Sequence, residues 1–304
     1  KLVVKIPVTL ESGNILVAGG NGFIGTHVVE KLKKMNFNVT VLDRLNYPPN
    51  KNINFVLGDI RNEGLIRDLL SENDGVINLA GILGTSETID NPRGTISSNV
   101  VGALNIFNSA KEFKIPAVQI TVGNYWMNNP YAITKHASEK IALHYNEKYK
   151  TKFTVIRGLN AYGGGQKDYP VRKLMPNLII PALKNSDILI YGDGKQIMDM
   201  IYVKDLAEIL IRGLILDHKC WNKVIEGGSG DKTTVNEICD LVLKITKSTA
   251  KVHYIPMRGG EPKNAVVLGN PDTMKPLGMS KKDLLSLNDG IKKSINYYKS
   301  IIDY

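Results

Sequence analysis

At 304 residues and 43% hydrophobic side chains, the chain has enough apolar content for one large domain or two packed lobes, which excludes a disordered polymer. Its net charge of +10 is dispersed in singles and pairs such as Lys33-Lys34, Lys281-Lys282 and Lys292-Lys293, a pattern of solvated helix faces that suits acidic small molecules better than nucleic acid. The only cysteines, Cys220 and Cys239, have no metal-ligand spacing, Lys1–Leu10 has no signal-type apolar region and no run reaches membrane-spanning length, so no metal, no membrane and a cytoplasmic location are expected.

The first predicted strand, Asn14–Ala18, is a short apolar run. Gly19-Gly20-Asn21-Gly22-Phe23-Ile24-Gly25 follows, and Thr26–Met35 places Val28, Val29 and Leu32 at helical spacing. Glycines between a strand and a helix N-terminus form a phosphate cradle: Gly19 permits the turn, Gly22 admits a pyrophosphate beside Phe23 and Ile24, and Gly25 lets helix and strand pack closely. The next strand, Asn38–Leu42, ends at Asp43, where a carboxylate accepts bonds from both ribose hydroxyls of NAD; the neighbouring Arg44 leaves NADP as an alternative. The simplest competing reading is a flavodoxin-like strand-turn-helix with no dinucleotide.

After a polar loop at Asn46–Asn52, the pattern predicts strands at Ile53–Leu57, Gly75–Leu79, Ala117–Thr121 and Phe153–Ile156. Between them, helices are predicted at Asn62–Leu70, Gly94–Phe113 and Tyr131–Tyr149. This alternation implies an α/β fold, a Rossmann-type doubly wound parallel sheet with right-handed crossovers. Past Arg157 the rhythm breaks at Gly163–Gly165, Pro170, Pro176 and Pro181. Tyr191–Gly194 reads as a turn, Val203–Leu216 and Thr234–Thr246 as helices, and Val224–Glu226 as a strand. The expected division is a dinucleotide-binding domain at 1–165, with 196–226 returning to it, and a smaller C-terminal substrate-binding lobe at 166–304.

Tyr131 and Lys135 are four residues apart on a predicted helix and so share a face. A nearby ammonium lowers a phenol pKa, and a phenol tuned in that way takes a proton from a hydroxyl while hydride leaves the same carbon.

Taken together, the motifs resemble the nucleotide-sugar epimerase/dehydratase branch of the extended short-chain dehydrogenase/reductases over nearly the whole chain. The likeness rests on AGGNGFIG (Ala18–Gly25), Asp43, GDI (Gly58–Ile60), LAG (Leu79–Gly81), NVVGALN (Asn99–Asn105), YAITK (Tyr131–Lys135), RGLNAYG (Arg157–Gly163), YGDG (Tyr191–Gly194), DMIYVKDLA (Asp199–Ala207) and RGGEP (Arg258–Pro262). The resemblance implies that Asp59 and Ile60 border the adenine and that Leu79, Ala80, Gly81 and Asn99 flank the cofactor. It places Asn160 and Tyr191 at the sugar diphosphate and Arg258 on its phosphates, and it implies a homodimer built on the two long helices. Thr121, Tyr131 and Lys135 would be the reacting groups: Tyr131 deprotonates the sugar C4 hydroxyl, Thr121 holds that oxygen, Lys135 tunes the tyrosine and binds the nicotinamide ribose, and NAD accepts the hydride.

Three departures shape the expected reaction. Only Val122–Pro130 separates Thr121 from Tyr131, a shortened loop. Val122 and Gly123 stand where the 4,6-dehydratase branch has an acid and a base, and Met198 stands where an arginine is common. The reading is an NAD-dependent 4-epimerase of a nucleotide-diphosphate sugar, with UDP favoured as the nucleotide. The alternatives are a dehydratase that loses the C6 hydroxyl after the same oxidation and a non-catalytic NAD-binding regulator. His136 is expected to pack rather than react, while Tyr125, Trp126 and Met127 either line the sugar pocket or pack the short loop.

Overall fold

The computed structural model describes residues 6–45 and 53–302. The polar loop expected at 46–52 lies outside the described residues, apart from its continuation into the third strand at Ile53. Strand β1 (Asn14–Ala18) leads through the glycine turn into α1 (Phe23–Lys34), followed by β2 (Asn38–Asp43), β3 (Asn54–Leu57), α2 (Glu63–Ser71) and β4 (Gly75–Asn78). Then come α3 (Pro92–Ile96), a π-helical segment (Ser97–Val101), α4 (Gly102–Phe113), β5 (Ala117–Val122), α5 (Pro130–Tyr149) and β6 (Phe153–Gly158). The rest of the chain supplies β7 (Asn160–Tyr162), α6 (Leu174–Leu183), β8 (Ile188–Tyr191), β9 (Ile197–Met198), β10 (Met200–Tyr202), α7 (Val203–Ile215) and β11 (Val224–Gly227). It ends with α8 (Val235–Thr246), β12 (Val252–Ile255), β13 (Val266–Val267) and α9 (Leu287–Ile302).

Seven strands form one parallel sheet in the order β11-β6-β5-β4-β1-β2-β3. Chain order reverses between β1 and β4, so a crevice opens beyond their carboxyl ends, where ligands of such sheets bind. One face packs Val28, Val29 and Leu32 of α1 with Leu206, Ile209 and Leu210 of α7; the other packs Ile66 and Leu70 of α2 with Ile106, Phe107 and Ala142 of α4 and α5. Residues 203–227 therefore sit on the first sheet, through α7 and the pairing of β11 with β6. A second core joins Met175, Leu178 and Ile179 of α6 to Ile238 and Val242 of α8 and Ile291 and Ile295 of α9.

Several elements differ from expectation. Helix α1 begins at Phe23 rather than Thr26 because Gly22 takes the extended cap conformation, bringing Phe23 and Ile24 into the first turn. The single helix expected over Gly94–Phe113 contains a π segment, a wider turn that hydrophobic periodicity does not reveal. Helix α6 forms where the prolines pointed to irregular chain: Pro176 lies in its first turn, where the N–H has no intrahelical partner, and Pro181 only near its end. Helix α9 has no counterpart in the expected elements.

Candidate active site

The glycine turn closes on itself. Gly19 adopts φ +79°, and a Cβ there would stand 2.8 Å from the Ala80 nitrogen; a Cβ on Gly25 would run into the Gly19 carbonyl. These two positions hold β1, β4 and α1 at backbone contact, which side chains would forbid. No side chain caps α1, so its first N–H groups are left open, an arrangement suited to an anion. Asp43 ends β2 beside this turn, accepting from Asn21 N at 3.1 Å and from Leu45 N at 3.1 Å. The backbone space, the open N–H groups and the carboxylate at the next strand end fit a dinucleotide.

Asp59 follows β3, and Arg61 grips its carboxylate through Nε at 3.0 Å and Nη2 at 2.7 Å. The Arg61 bond holds Asp59 below the usual carboxylate range. Arg44 is half-exposed and 3.7 Å from the same carboxylate, so its charge leans toward Asp59. Ile60 is buried against Gly102, and its carbonyl accepts from Asn105 at 3.0 Å. Leu79 N donates to Ala18 O at 2.9 Å and Ala80 N to Asn78 Oδ1 at 3.2 Å, which fixes the chain beside the glycine turn.

The π segment carries Asn99, which is 2% exposed. Its Oδ1 accepts from Ile82 N at 2.8 Å, and its Nδ2 donates to Ile82 O and to Thr134 Oγ1, each at 3.1 Å. One amide thus ties the segment after Gly81 to α5. Helix α5 begins at Pro130, with Asn129 as cap accepting from Ala132 N at 2.9 Å. Capping of this kind stabilises a helix start by about 1 kcal/mol.

Lys135 is 2% exposed, and its Nζ donates to the Ile120 carbonyl at 3.1 Å. The same Nζ lies beside the Gly81 α-carbon, a gap left by the missing side chain. Burial pushes the Lys135 ammonium down to about 8. Burial also raises the Tyr131 phenol, which corrects the expectation that Lys135 lowers it. Desolvation is the cause, and the ammonium is held by the Ile120 carbonyl. Thr121 is at the end of β5 as expected, but its Oγ1 donates to the buried carboxylate of Glu139 at 3.1 Å, a partner that sequence reasoning did not name.

The short loop after Thr121 packs rather than gapes. Met127 is buried with Leu159, Ala265 and Val267, and Leu159 lies against Gly123. Tyr125 stacks on His136 at 5.2 Å, and the Arg157 guanidinium lies 3.6 Å from its ring centroid. Trp126 alone in this trio is 46% exposed.

On the opposite wall, Arg258 lies 5.7 Å from the Tyr191 ring, as does Arg172. Arg258 Nη2 donates to Thr85 Oγ1 at 3.0 Å and Glu261 Oε1 at 2.9 Å, with Glu87 3.7 Å away. Thr85 also bonds Glu261, and Ser86 Oγ donates to Gly259 O at 2.6 Å. Lys173 completes the cationic group, and burial lowers its pKa. The loop after β4 and the RGGEP loop therefore meet, and Asn129 Nδ2 reaches the same loop at Gly260 O, 3.1 Å away. The sequence pointed to Arg258 and Tyr191 but not to Thr85, Asn129, Arg172 or Lys173, for which only the fold supplies the proximity.

Asn160 lies on β7, in a separate two-stranded sheet from Tyr191 on β8, its Nδ2 on the Asp199 carbonyl at 3.0 Å. Asp199 is fully buried and accepts from Ser229 N and Oγ, Gly230 N and Gly269 N at 2.8–3.0 Å. It joins three loops, while Met198 pairs in β9 beside it. Among the described residues, no group of three or more His, Cys, Asp or Glu side chains is placed to hold a metal, and no helix is long and apolar enough to cross a membrane.

A model of the NAD dependent epimerase/dehydratase family matches residues 15–219. The chain is 28% identical over 316 residues to a UDP-N-acetyl-alpha-D-glucosaminuronate decarboxylase of Bacillus cytotoxicus, covering 94% of this chain and 98% of that protein. It is 27% identical over 321 residues to a dTDP-glucose 4,6-dehydratase of an Actinoplanes species, with 94% and 98% covered. Among solved structures, the UDP-glucose 4-epimerase of Thermotoga maritima with UDP-glucose superposes with a TM-score of 0.87 at 26% identity, over 95% of this chain and 99% of that one. Three reactions thus appear at nearly equal identity, so overall likeness does not choose among them.

Proposed function

The chain belongs to the NAD dependent epimerase/dehydratase family, and from that premise we propose that it is a 4-epimerase of a nucleotide-diphosphate sugar, working through a 4-keto intermediate. NAD, when bound, supplies the hydride acceptor and later donor at C4. The turn from Gly19 through Gly22, Phe23 and Ile24 to Gly25 holds its pyrophosphate and Asp43 its ribose, with Arg44, Asp59, Ile60 and Leu79–Gly81 along its length. Asn99 fixes the wall beside the nicotinamide end. Lys135 stands at the nicotinamide ribose, and Tyr131, as the phenolate that the positive nicotinamide of bound NAD would favour against its burial, takes the proton from the C4 hydroxyl and later returns it. Thr121 contacts the same hydroxyl. Arg258, Tyr191 and Asn160 hold the nucleotide diphosphate, with Arg172 and Lys173 adding positive charge; a guanidinium suits this because its donors match phosphate oxygens.

The observation that carries epimerisation over elimination lies after Thr121. Val122 is buried and Gly123 is packed under Leu159, so neither position offers the acid or base that loss of water requires. The test is turnover of UDP- and dTDP-sugars in D₂O with mass analysis. A 4-epimerase gives a product of unchanged mass with no deuterium on carbon; loss of water or carbon dioxide overturns the reading.

A cytoplasmic homodimer belongs to the same proposal. Ile96, Val101 and Ile133 are exposed on α3, the π segment and α5, which pack together, and such a face is suited to self-association. A monomer mass in light scattering at micromolar concentration refutes it.

A further inference from the structure

Glu139 lies one turn beyond Lys135 on α5 and is wholly buried. Arg157, on β6, donates Nε to Glu139 Oε2 at 2.9 Å and Nη2 to Oε1 at 2.6 Å. Its remaining arm reaches Glu226 Oε1 on β11 at 3.0 Å. His136 Nδ1 stands 3.2 Å from Glu139 Oε1. A carboxylate gripped by a guanidinium fork is ionised and can only accept. The hydrogen in the Thr121–Glu139 contact therefore belongs to Thr121. A hydroxyl has one hydrogen and two lone pairs, so Thr121 has only lone pairs left to offer the crevice.

We propose that Glu139, braced by Arg157, is a positioning residue that makes Thr121 a one-way acceptor, gripping the sugar as an alcohol and releasing it as a ketone. The inference rests on the reading of Thr121 as a substrate contact. A sugar hydroxyl brings a hydrogen to Thr121; a carbonyl oxygen brings none. The hydroxyl turns from Thr121 to Tyr131 as its proton leaves and C4 gives up its hydride, and the grip then ends. An epimerase gains from that release, because its keto sugar must present the opposite face before hydride returns. An enzyme that carries the ketone into a second reaction in place gains from a donor instead.

Glu139→Gln tests this, because its amide keeps the shape: its oxygen still accepts from Arg157 Nη2, and its nitrogen, in place of Oε2, donates to Thr121 at the cost of the Arg157 Nε bond. Thr121 then turns its hydrogen toward the sugar and holds the ketone. Arg157 keeps Glu226 as an ionic partner, which favours folding of the variant. The expected result is a roughly 2- to 13-fold fall in kcat, the worth of one neutral hydrogen bond, with KM nearly unchanged and a larger share of keto sugar in acid-quenched enzyme. Thr121→Val added to it costs little more, since both changes disable one device. Should the glutamine variant fail to fold, Glu139→Asp keeps the charge for Arg157, withdraws from Thr121 and is expected to raise the keto share likewise. Losses that multiply in the double variant, or a normal keto share and kcat in a folded Glu139 variant while Thr121→Val is slow, overturn the inference alone. Full turnover in Thr121→Val removes the reading of Thr121 and the inference with it.

Discussion

The two walls of the crevice are made of different material. The wall proposed for the cofactor is backbone: a turn at Gly19, a close approach at Gly25, and uncapped N–H groups at the start of α1. The wall proposed for the substrate is side chain: Arg258 is held by Glu261 on its own loop and by Thr85, 173 positions away in the chain. Backbone features cannot be altered without disturbing the sheet they belong to, whereas a side-chain cluster can be rebuilt on an unchanged frame. On the proposed reading, that difference lets one cofactor site serve several substrates and reactions.

Four variants or conditions probe the contrast. Tyr131→Phe, at the junction of the walls, should lower kcat by about 10²–10⁴, the usual worth of a general acid–base group, with affinity for NAD and nucleotide sugar nearly intact. Single-turnover and binding measurements check it; full activity would remove Tyr131 from the reaction. Arg258→Ala should raise the KM for the nucleotide sugar by roughly 10- to 150-fold, the loss of one charged hydrogen bond of about 1.5–3 kcal/mol. The melting temperature and NAD affinity should stay close to those of the native protein. Gly25→Ala is the counterpart on the backbone wall: the added methyl meets the Gly19 carbonyl, so stability should fall by about 1–3 kcal/mol and NAD affinity should fall with it. If calorimetry shows the two separating, the contrast between the walls is wrong.

The smallest effect is a pH dependence. Lys135 titrates at about 8 in the folded chain, lowered by burial from the ordinary lysine value of 10.5. It is charged below that pH and neutral above, so kcat/KM should decline on the alkaline side from about pH 8. Stability moves the other way: between pH 8 and 10.5 the unfolded chain holds the proton that the folded chain has lost, so this lysine's penalty on folding is relieved as pH rises. Denaturation of the native protein and Lys135→Met across that range, compared pairwise, isolates the term. A gap that widens with pH in favour of the methionine variant contradicts it.

The same contrast explains what the sequence reveals. The glycine turn and its position beside Asp43 are local in sequence, so they were legible before any coordinates; spacing put Tyr131 and Lys135 on one helix but did not reveal the burial that raises the phenol or the Ile120 carbonyl that holds the ammonium. The parallel, doubly wound sheet followed from alternating elements and handed crossovers, whereas its strand order came only with the fold. The partners of Arg258 were not legible, because Thr85, Lys173 and Asn129 reach it or its loop only through tertiary folding. Glu139 lies four positions from Lys135, so a helical wheel places it on the right face; what was missing was Arg157, which makes a buried glutamate tolerable. Helix α6 was hidden by its own prolines.

The π segment at Ser97–Val101 can be read as an insertion. A π turn equals an α turn with one residue too many, and each residue of an α-helix advances about 100°. Deleting a single residue between Ser97 and Val101 would let α3 and α4 run on as one regular helix, with its apolar face still on the sheet. The residue at position 99 would then be rotated off the segment after Gly81, and the amide that joins Ile82 to Thr134 would be lost. A one-residue difference in length would thus separate a chain that only folds from one whose crevice is fastened to its tyrosine helix, with no change in the fold's outline.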